Sequence, residues 1–328
     1  MVAILILNWN GYSDTINCIK SLLNINNKDF YIVIGDNGSS DNSIYMIENY
    51  LKESNIDFIK TSIDNEERQC LVPNKVILCD LKENNGFSKG NNMLLDYASY
   101  YNPDYYLLLN NDTEVTEDFL DVLISFHTRN PDYCILTPLI YYYDKKNTIW
   151  NAGGCLKFGF RKYYYNDLED VKFSSGAFIK CSFITGCSLF FTPLILNERK
   201  EVFTERFFFG EEDFEFSMRQ NRMGNKMACV CDSVIYHKVS ASSKKQPSIN
   251  KIFIYYLNRF IDMKLTFSRV TYIIWQLIYI PYVFILLSKK YSLNRCKHFI
   301  SLLISESKRL NYVDQAYFVK TMSSGDIC

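Results

Sequence analysis

The sequence predicts an α/β protein with a doubly wound, mostly parallel β-sheet, followed by a helical C-terminal extension. Two observations support this fold class. Over the first 125 of the 328 residues, short apolar runs alternate with amphipathic segments of helical period, which is typical of repeated β-α-β units. Beyond residue 240, long apolar and aromatic stretches of helical character follow a polar segment.

Four apolar runs are predicted as strands of this sheet. Val2–Leu7 contains no polar side chain, as expected of a strand that is buried on both faces. Tyr31–Ile34, Val76–Leu78 and Tyr105–Leu109 have a similar character. Polar, turn-forming residues follow the second and fourth of these runs and end them.

Amphipathic helices are predicted between the strands. Ser13 or Asp14 begins the first helix and Asp41 the second, because such side chains accept hydrogen bonds from the unpaired amides of a first turn. Thr116 begins the third, with two acidic residues in the first turn, where the helix dipole favours negative charge. Helical spacing is carried by Ile16, Ile19, Leu22, Leu23, Ile44, Ile47 and Leu51.

Two domains are predicted along the chain. Residues 1–240 form the α/β domain, of which residues 130–240 are more irregular and punctuated by glycines. The polar segment 242–248 is predicted as a linker, and residues 241–328 as the helical extension. Its most apolar part, residues 270–287, contains no charged side chain.

The charge is divided unevenly between the two domains. The whole chain has 36 basic and 36 acidic residues and a net charge of zero, which gives no support for nucleic-acid binding by the protein as a whole. Residues 1–240 contain 23 Lys and Arg against 32 Asp and Glu, whereas residues 241–328 contain 13 against 4. The balance is therefore −9 and +9, and the basic, aromatic-rich tail is suited to an anionic membrane surface.

Cysteine usage indicates a reducing compartment. The 11 cysteines are scattered and form no CxxC pair, so we expect buried, reduced thiols rather than disulfides or a zinc site. The first residues lack a basic segment before the apolar run, and no signal peptide is predicted. A cytoplasmic location is expected.

Polar clusters follow three of the predicted strands. They comprise residues 8–11 (Asn-Trp-Asn-Gly), 36–40 (Asp-Asn-Gly-Ser-Ser) and 110–112 (Asn-Asn-Asp). In a doubly wound sheet, ligands bind beyond the carboxyl ends of the strands, so these clusters are candidates for a ligand site. Neither GxGxxG nor GxxxxGK[ST] is present, which disfavours a nicotinamide dehydrogenase and a P-loop NTPase.

Two further features have the chemistry of a catalytic site. Asn110 and Asp112 place oxygen ligands on one side of an extended chain, as a Mg²⁺ or Mn²⁺ ion on a pyrophosphate requires. The segment 211–215 carries four carboxylates directly after three phenylalanines, so burial and a raised pKa are expected for at least one acid, a property of general bases. His237 is a candidate further ligand of the cation, while His127 and His298 are assigned structural roles.

Taken together, these clusters resemble the family 2 glycosyltransferases with the GT-A fold, in particular the rhamnosyltransferase-like branch of bacterial surface-polysaccharide synthesis. The resemblance covers residues 2–243. The motifs that carry it, in chain order, are residues 6–11, 36–41, 85–92 and 108–115, Thr185-Gly186, Glu212-Asp213 with Arg219, and His237 with residues 240–243.

The resemblance implies specific roles and a division of the first domain. Residues 1–115 would bind the nucleotide-diphosphate sugar and residues 116–240 the acceptor. Asp112 and His237 would hold Mg²⁺ or Mn²⁺, and Asp213 would be the general base, with Glu212 as the alternative. Many relatives have an aspartate in place of Asn110, so weaker metal affinity is expected. The donor would be bound by Asn8, Asn10, Asp36, the loop carrying Asn85, Gly86 and Asn91, and by Asn110 and Asn111.

The implied reaction is inverting transfer of one sugar from a nucleotide diphosphate such as dTDP-rhamnose or a UDP-hexose. The cation stabilises the leaving diphosphate, and one base suffices for a single in-line attack. The implied acceptor is a growing, lipid-linked O-antigen or capsule oligosaccharide. Two alternatives stay open: a catalytically inactive GT-A module that scaffolds an assembly complex, and a processive synthase, which the lack of a QxxRW motif disfavours.

The apolar segment 270–287 has three possible placements: buried against the α/β domain, lying in the membrane interface, or spanning the bilayer. Its length is at the short limit for a span. Tyr272, Trp275, Tyr279 and Tyr282 share one helical face, and such rings favour the membrane interface. A protein that binds peripherally to the inner face of the membrane is therefore expected.

Overall fold

The computed structural model describes residues 1–65, 75–196, 201–239 and 248–325. Its centre is an eleven-stranded mixed sheet. The strands are β1 (Val2–Asn8), β2 (Phe30–Asp36), β3 (Phe58–Ser62), β4 (Val76–Asp80), β5 (Tyr105–Leu109), β6 (Thr113–Val115), β7 (Ile135–Tyr142), β8 (Ile149–Asn151), β11 (Phe178–Cys181), β12 (Ser188–Phe191) and β13 (Met227–His237), while β9 (Gly154–Lys157) and β10 (Phe160–Tyr163) form a separate hairpin. The order in the sheet is β11-β13-β7-β12-β5-β1-β2-β4-β3, with β6 paired to β13 and β8 paired to β7.

The five strands at one end of the sheet, β3, β4, β2, β1 and β5, are all parallel. Antiparallel pairing begins at β12, and β13 returns parallel to β7. The predicted mixed α/β fold with a mostly parallel central sheet is thus confirmed. Burial on both faces explains the apolar composition of β1 and β2, because helices cover each side of a sheet of this kind.

Helices cover both faces of the sheet. They are α1 (Tyr12–Leu23), α2 (Ser43–Glu53), α3 (Gly86–Ser99), α4 (Phe119–Arg129) and α5 (Glu212–Arg222). On one face α1, α2 and α4 share a core with Ile4 and Ile32, and on the other α3 and α5 share a core with Leu5 and Val33. Alternate residues of each strand thus enter opposite cores.

The helix starts differ in detail from the prediction. α1 begins at Tyr12 without a side-chain cap, and α4 begins only at Phe119, after Asp118, so Thr116 lies before the helix. Strand β3 and helix α3 were not predicted. Helix α3 lacks a clear amphipathic pattern, because its buried face includes polar residues and a glycine: Gly86, Ser88 and two asparagines.

Four further helices complete the chain and form a third hydrophobic core. They are α6 (Ile249–Thr266), α7 (Arg269–Ser288), α8 (Leu293–Arg309) and α9 (Gln315–Ser323). This core includes Phe183, Phe207 and Phe214 of the α/β domain. The C-terminal helices therefore pack directly against the segment that leads into α5. The predicted boundary near residue 240 lies outside the described residues.

Helix α7 packs with its aromatic face inward. Trp275 and Tyr279 are 0% and 5% exposed and stack on each other with ring centroids 4.4 Å apart. The expectation that the aromatic rings of this helix face a membrane is therefore wrong for Trp275 and Tyr279. The outward face is aliphatic instead, with Val270, Ile273, Ile274, Leu277, Ile278 and Ile285 all exposed. Within the described residues, α7 is the one helix that is long and apolar enough to cross a membrane.

Candidate active site

The predicted ligand edge of the sheet lies where β1 is flanked by β2 on one side and β5 on the other. The chain runs from β1 outward to β2, and β5 enters on the opposite side, so a crevice forms at the carboxyl ends of these strands. The side chain of Asn8, at the end of β1, is fully buried. Its amide donates to Asp36 (2.7 Å) and its carbonyl accepts from the Thr15 hydroxyl (2.7 Å).

Asp36 is also buried, at 1% exposure. Its carboxylate accepts hydrogen bonds from the Ser39 hydroxyl (2.7 Å) and the Ser39 amide (3.0 Å) in addition to Asn8. Asn10 lies beside it and accepts from the amides of Ser40 (2.8 Å) and Asp41 (3.1 Å). The first two polar clusters thus fold against each other, and their hydrogen bonds fix the loop that follows β2.

The segment 85–92 contributes a second wall to this edge. The Asn37 amide donates to the carbonyl of Gly86 (3.1 Å), and its carbonyl accepts from the amide of Asn85 (2.9 Å). Asn91 was predicted to lie in a loop, but it lies in helix α3. Its side chain is 3% exposed, and its amide donates a hydrogen bond to the carbonyl of Phe87 (2.9 Å).

The third cluster is joined to the first through Asn111. Its amide donates to the Thr15 hydroxyl (3.0 Å) and approaches the Asn8 carbonyl oxygen (3.5 Å). The backbone amide of Asn110 donates to the Cys187 carbonyl (2.9 Å). The predicted residues at the ends of β1, β2 and β5 are therefore brought together at one edge.

Asp112 and His237 are brought into contact by strand pairing. His237, at the end of β13, is in register with Thr113 of β6, and the amide of Lys238 donates to the Asp112 carbonyl (2.9 Å). The His237 Nε2 atom lies 3.1 Å from the Asp112 carboxylate. Residues 125 positions apart in sequence thus present a carboxylate and an imidazole at the same point.

This pair has the chemistry of a divalent-cation site. Burial lowers the pKa of His237, but Cys187 and Asp112 raise it more, to about 10, so the imidazole holds a proton beside the Asp112 carboxylate. A divalent cation would have to replace that proton, because only a neutral imidazole coordinates a metal. Carboxylate oxygen and imidazole nitrogen are both ligands of Mn²⁺-type cations. Two protein ligands leave most positions around such a cation open for diphosphate oxygens and water; within the described ranges, no group of three or more His, Cys, Asp and Glu residues could hold a metal. On this basis the residues fit a metal that is shared with a diphosphate.

The acidic segment lies at the start of α5. Glu211 precedes the helix with a φ of 75°, a left-handed conformation that is uncommon outside glycine. Its carboxylate forms a buried ion pair with Arg259 of α6. Arg259 also donates to the carbonyl of Gly159 (3.0 Å), and its guanidinium lies over the ring of Phe214. Helix α6 thereby holds the segment in place.

Glu212 and Asp213 follow Glu211, and the expected pKa shifts are confirmed. Burial and the neighbouring Asp213 raise the pKa of Glu212 to about 8, and its Oε2 atom is buried with no hydrogen-bond partner among the described residues. Burial also raises the pKa of Asp213, although Arg161 and Arg259 lower it. The Arg161 guanidinium lies 3.6 Å from the Asp213 carboxylate, which is one-fifth exposed (20%).

A cavity of about 480 Å³ adjoins these acids. Its lining unites the acidic segment with the hairpin β9–β10 and with helices α6 and α7. The ring of Trp150 connects it to the cation pair, because Trp150 lines the cavity and packs edge-on against His237 at 4.4 Å between centroids. The aromatic and charged lining residues include Phe160, Arg161, Tyr163, Tyr255, Tyr256, Arg259, Tyr279 and Tyr282.

Sequence reasoning missed this part of the site. Arg161, Arg259, Trp150 and the cavity tyrosines belong to no motif. Trp150 lies on β8, and the others come from the β9–β10 hairpin and from helices that were assigned to a separate extension. One signal was present: the aromatic residues of α6 and α7 recur at helical spacing. The tail therefore contributes directly to the site instead of only following it.

The chain matches the family model described as glycosyl transferase family 2 over residues 3–189, more than half of its length, and it belongs to that family. The match ends before the acidic segment and the C-terminal helices. Among curated proteins, no sequence matches the chain significantly. Family membership supports transfer of a sugar from a nucleotide sugar, as the sequence motifs predict.

Three solved structures share the fold at low identity. TarS of S. aureus aligns with a TM-score of 0.50 at 13% identity, over 83% of this chain and 41% of TarS, so the chain spans about two-fifths of that protein. The mannosyltransferase PcManGT of Pyrobaculum calidifontis, in complex with GDP-Man and Mn²⁺, aligns with a TM-score of 0.53 at 11% identity, over 98% of this chain and 83% of that one. GalNAc-T7 with UDP, GalNAc and Mn²⁺ aligns with a TM-score of 0.60 at 14% identity, over 98% of this chain and 56% of GalNAc-T7.

Proposed function

We propose that the protein is a metal-dependent, inverting glycosyltransferase that moves one sugar from a nucleotide diphosphate to an acceptor hydroxyl. One observation carries the proposal: a carboxylate with a raised pKa, Asp213, borders a cavity that Trp150 connects to the Asp112–His237 pair. A base and a cation site on two sides of one cavity are the two groups that such a transfer requires.

The donor is assigned to the edge formed by β1, β2 and β5. Asn10, Asn110, Asn111 and the backbone around Gly86 are the groups placed to meet the nucleotide. Asn8 and Asp36 are satisfied by each other and by Ser39, so their role is to hold the loop in shape. The donor is a dTDP- or UDP-linked sugar, with dTDP-rhamnose as the first candidate from the motif resemblance.

Asp213 accepts the proton of the acceptor hydroxyl. Its burial raises the pKa and makes the carboxylate a stronger base than an exposed aspartate, while the Arg161 guanidinium opposes that rise and favours the ionised form. Asp112 and His237 would hold the divalent cation, which neutralises charge on the departing diphosphate. Burial and the neighbouring Asp213 raise the pKa of Glu212 to about 8, which favours its protonated form near neutral pH, so Asp213 is proposed as the base ahead of Glu212.

The acceptor is proposed to be a lipid-linked O-antigen or capsule oligosaccharide at the inner membrane surface. Two features support a membrane location. The outward face of α7 is aliphatic, and Arg269, Lys289 and Lys290 flank it, which is the pattern of a helix that lies on an anionic bilayer. The inward face of α7 borders the cavity through Tyr279 and Tyr282, so a bound lipid head would lie close to Asp213.

The base is tested by comparing Asp213→Asn with Glu212→Gln, using release of nucleoside diphosphate from a panel of donors with a membrane extract as acceptor source. Asp213→Asn is expected to lower kcat by about a hundredfold or more, since general bases contribute about 10²–10⁴-fold. Glu212→Gln mimics the protonated acid and is expected to retain more than a tenth of the wild-type rate. Equal turnover by Asp213→Asn and wild type would contradict the assignment of Asp213 as the base, and absence of turnover in both would favour the inactive scaffold.

A further inference from the structure

We infer that helices α6 and α7 form one wall of the acceptor site, and that the sugar residue bound there is a neutral pyranose packed on tyrosine rings. The inference rests on the proposed function, because it assigns the acceptor of the same transfer reaction. It concerns the cavity next to Asp213, of about 480 Å³, which is within the usual range of about 300–1,000 Å³ for small-ligand sites.

Three tyrosines of the cavity keep a substantial part of their surface exposed. Tyr163 is 38% exposed on β10, Tyr255 is 39% exposed on α6, and Tyr282 is 42% exposed on α7. They come from three different elements that converge on one space. An aromatic ring presents a large apolar surface, and its hydroxyl provides a hydrogen-bonding group. Rings of this kind are matched by a pyranose, which has an apolar C–H face and hydroxyls at its rim.

The charges of the cavity are neutralised within it. Arg259 is paired with Glu211, and Arg161 lies 3.6 Å from Asp213. The Arg161 guanidinium also lies over the rings of Tyr163 and Phe183, 4.7 and 4.9 Å from their centroids. Among the described residues that line the cavity, each arginine thus has a carboxylate partner, and a uronic acid or phosphate would have to displace one. A neutral sugar needs no such displacement.

The position of Tyr255 is fixed by a glycine in the acidic segment. Gly210 has a φ of +83°, and a Cβ atom there would lie 2.8 Å from Cε1 of the Tyr255 ring. Asn258, one turn further along α6, donates to the carbonyl of Phe209 (2.9 Å). The ring of Tyr255 is therefore set against the segment that leads directly to Asp213. The acceptor wall and the base are parts of one packed unit.

The experiment uses the full chain with a purified donor that the wild type hydrolyses, and octyl glycosides of glucose, galactose, N-acetylglucosamine, rhamnose and glucuronic acid as acceptor probes. We expect transfer to one or more of the neutral glycosides and less to the glucuronide. Tyr255→Ala and Tyr282→Ala should each lower the ratio of transfer to donor hydrolysis at least fivefold, in line with the energy of a ring contact. Tyr255→Phe, which keeps the ring, should stay within about twofold of wild type.

The matched control is Tyr312→Ala. Tyr312 lies between α8 and α9, is 56% exposed and does not line the cavity. It should keep the wild-type ratio. The inference would be overturned if the protein hydrolyses the donor but Tyr255→Ala and Tyr282→Ala leave the ratio of transfer to hydrolysis unchanged. A preference for the glucuronide over the neutral glycosides would also overturn it. Absence of any donor hydrolysis by the wild type would instead contradict the proposed function, so the two failures are distinguishable.

Discussion

Arg259 of α6 forms a buried ion pair with Glu211, the residue immediately before α5. The contact joins the C-terminal helices to the acidic segment that carries Asp213, and it is reinforced by the Arg259 hydrogen bond to the Gly159 carbonyl. The side chains of Arg259 and Glu211 are only 9% and 4% exposed. The helical tail is therefore part of the framework of the candidate active site.

Arg259→Gln should destabilise the protein. Removing one partner of a buried pair leaves the other charge without compensation, at a cost of about 3 kcal/mol. Urea unfolding followed by circular dichroism measures this cost. The control is Lys226→Gln, which removes an exposed pair with Asp132 and should leave the unfolding midpoint unchanged. An Arg259→Gln midpoint equal to that of the wild type would show that the pair does not fix the segment.

Glu212 should make the protein less stable at higher pH. Its pKa is 4.5 in the unfolded chain and rises to about 8 on folding because the carboxyl is buried next to Asp213. Between these values the folded state holds a proton that the unfolded state has lost, so stability falls as the pH rises from about 4.5 to about 8. Glu212→Gln removes this effect.

The measurement is the difference in urea midpoint between Glu212→Gln and wild type at pH 5.5 and at pH 8. We expect the variant to gain stability relative to wild type as the pH increases. Glu53→Gln, at an exposed position on α2, serves as the control and should show the same difference at both values. A Glu212→Gln difference that does not grow with pH would contradict the raised pKa.

Arg161→Gln should change the pH dependence of catalysis. The Arg161 guanidinium lowers the pKa of Asp213, which burial otherwise raises. Without that positive charge the carboxylate holds its proton to a higher pH, so the acid limb of the kcat/KM profile should move to higher pH. A loss of activity with an unmoved acid limb would show that Arg161 acts only in binding. Steady-state donor turnover at pH 5 to 9 measures this.

The exposed face of α7 should bind anionic bilayers. The wild-type chain should sediment with vesicles of phosphatidylglycerol and phosphatidylcholine, and less with phosphatidylcholine alone, because basic residues flank the helix. Leu277→Asp, at a position 71% exposed, should weaken binding about tenfold, since burial of a leucine contributes about 1.5–3 kcal/mol.

Leu194→Asp is the matched control for this experiment. Leu194 is 85% exposed but lies in the α/β domain, so its substitution should not affect sedimentation with vesicles. Equal loss of binding by both variants would indicate a general effect of charge. Absence of vesicle binding by the wild type would mean that the aliphatic face of α7 serves another partner.

The sequence was sufficient for those parts of the fold whose pattern is local. The runs of β1, β2, β4 and β5 are apolar because both faces of the sheet are covered, and each was found at the right place. Helix α3 was not predicted because its buried face holds asparagines that bond to distant groups: Asn92 donates to the Phe203 carbonyl (2.8 Å). Such a contact has no signature in the local sequence.

The candidate site was predicted only where its residues follow strands. The contact of Asp112 with His237 was anticipated as a shared cation site, and the pairing of β6 with β13 provides it. The roles of Arg161, Arg259 and the cavity tyrosines depend on how the tail packs on the α/β domain, and spacing along the chain does not encode that packing. The orientation of α7 shows the same limit, since its tyrosine and tryptophan pattern fitted a membrane face as well as a buried one.

The most direct test of the proposed function measures release of nucleoside diphosphate from UDP-, dTDP- and GDP-sugars by the purified full chain, with Mn²⁺ and with EDTA. We predict turnover of at least one donor with Mn²⁺, loss of that turnover in EDTA, and at least a hundredfold loss in Asp112→Ala. Turnover that is the same in EDTA, or undiminished in Asp112→Ala, would contradict the assignment of Asp112 and His237 to a catalytic cation.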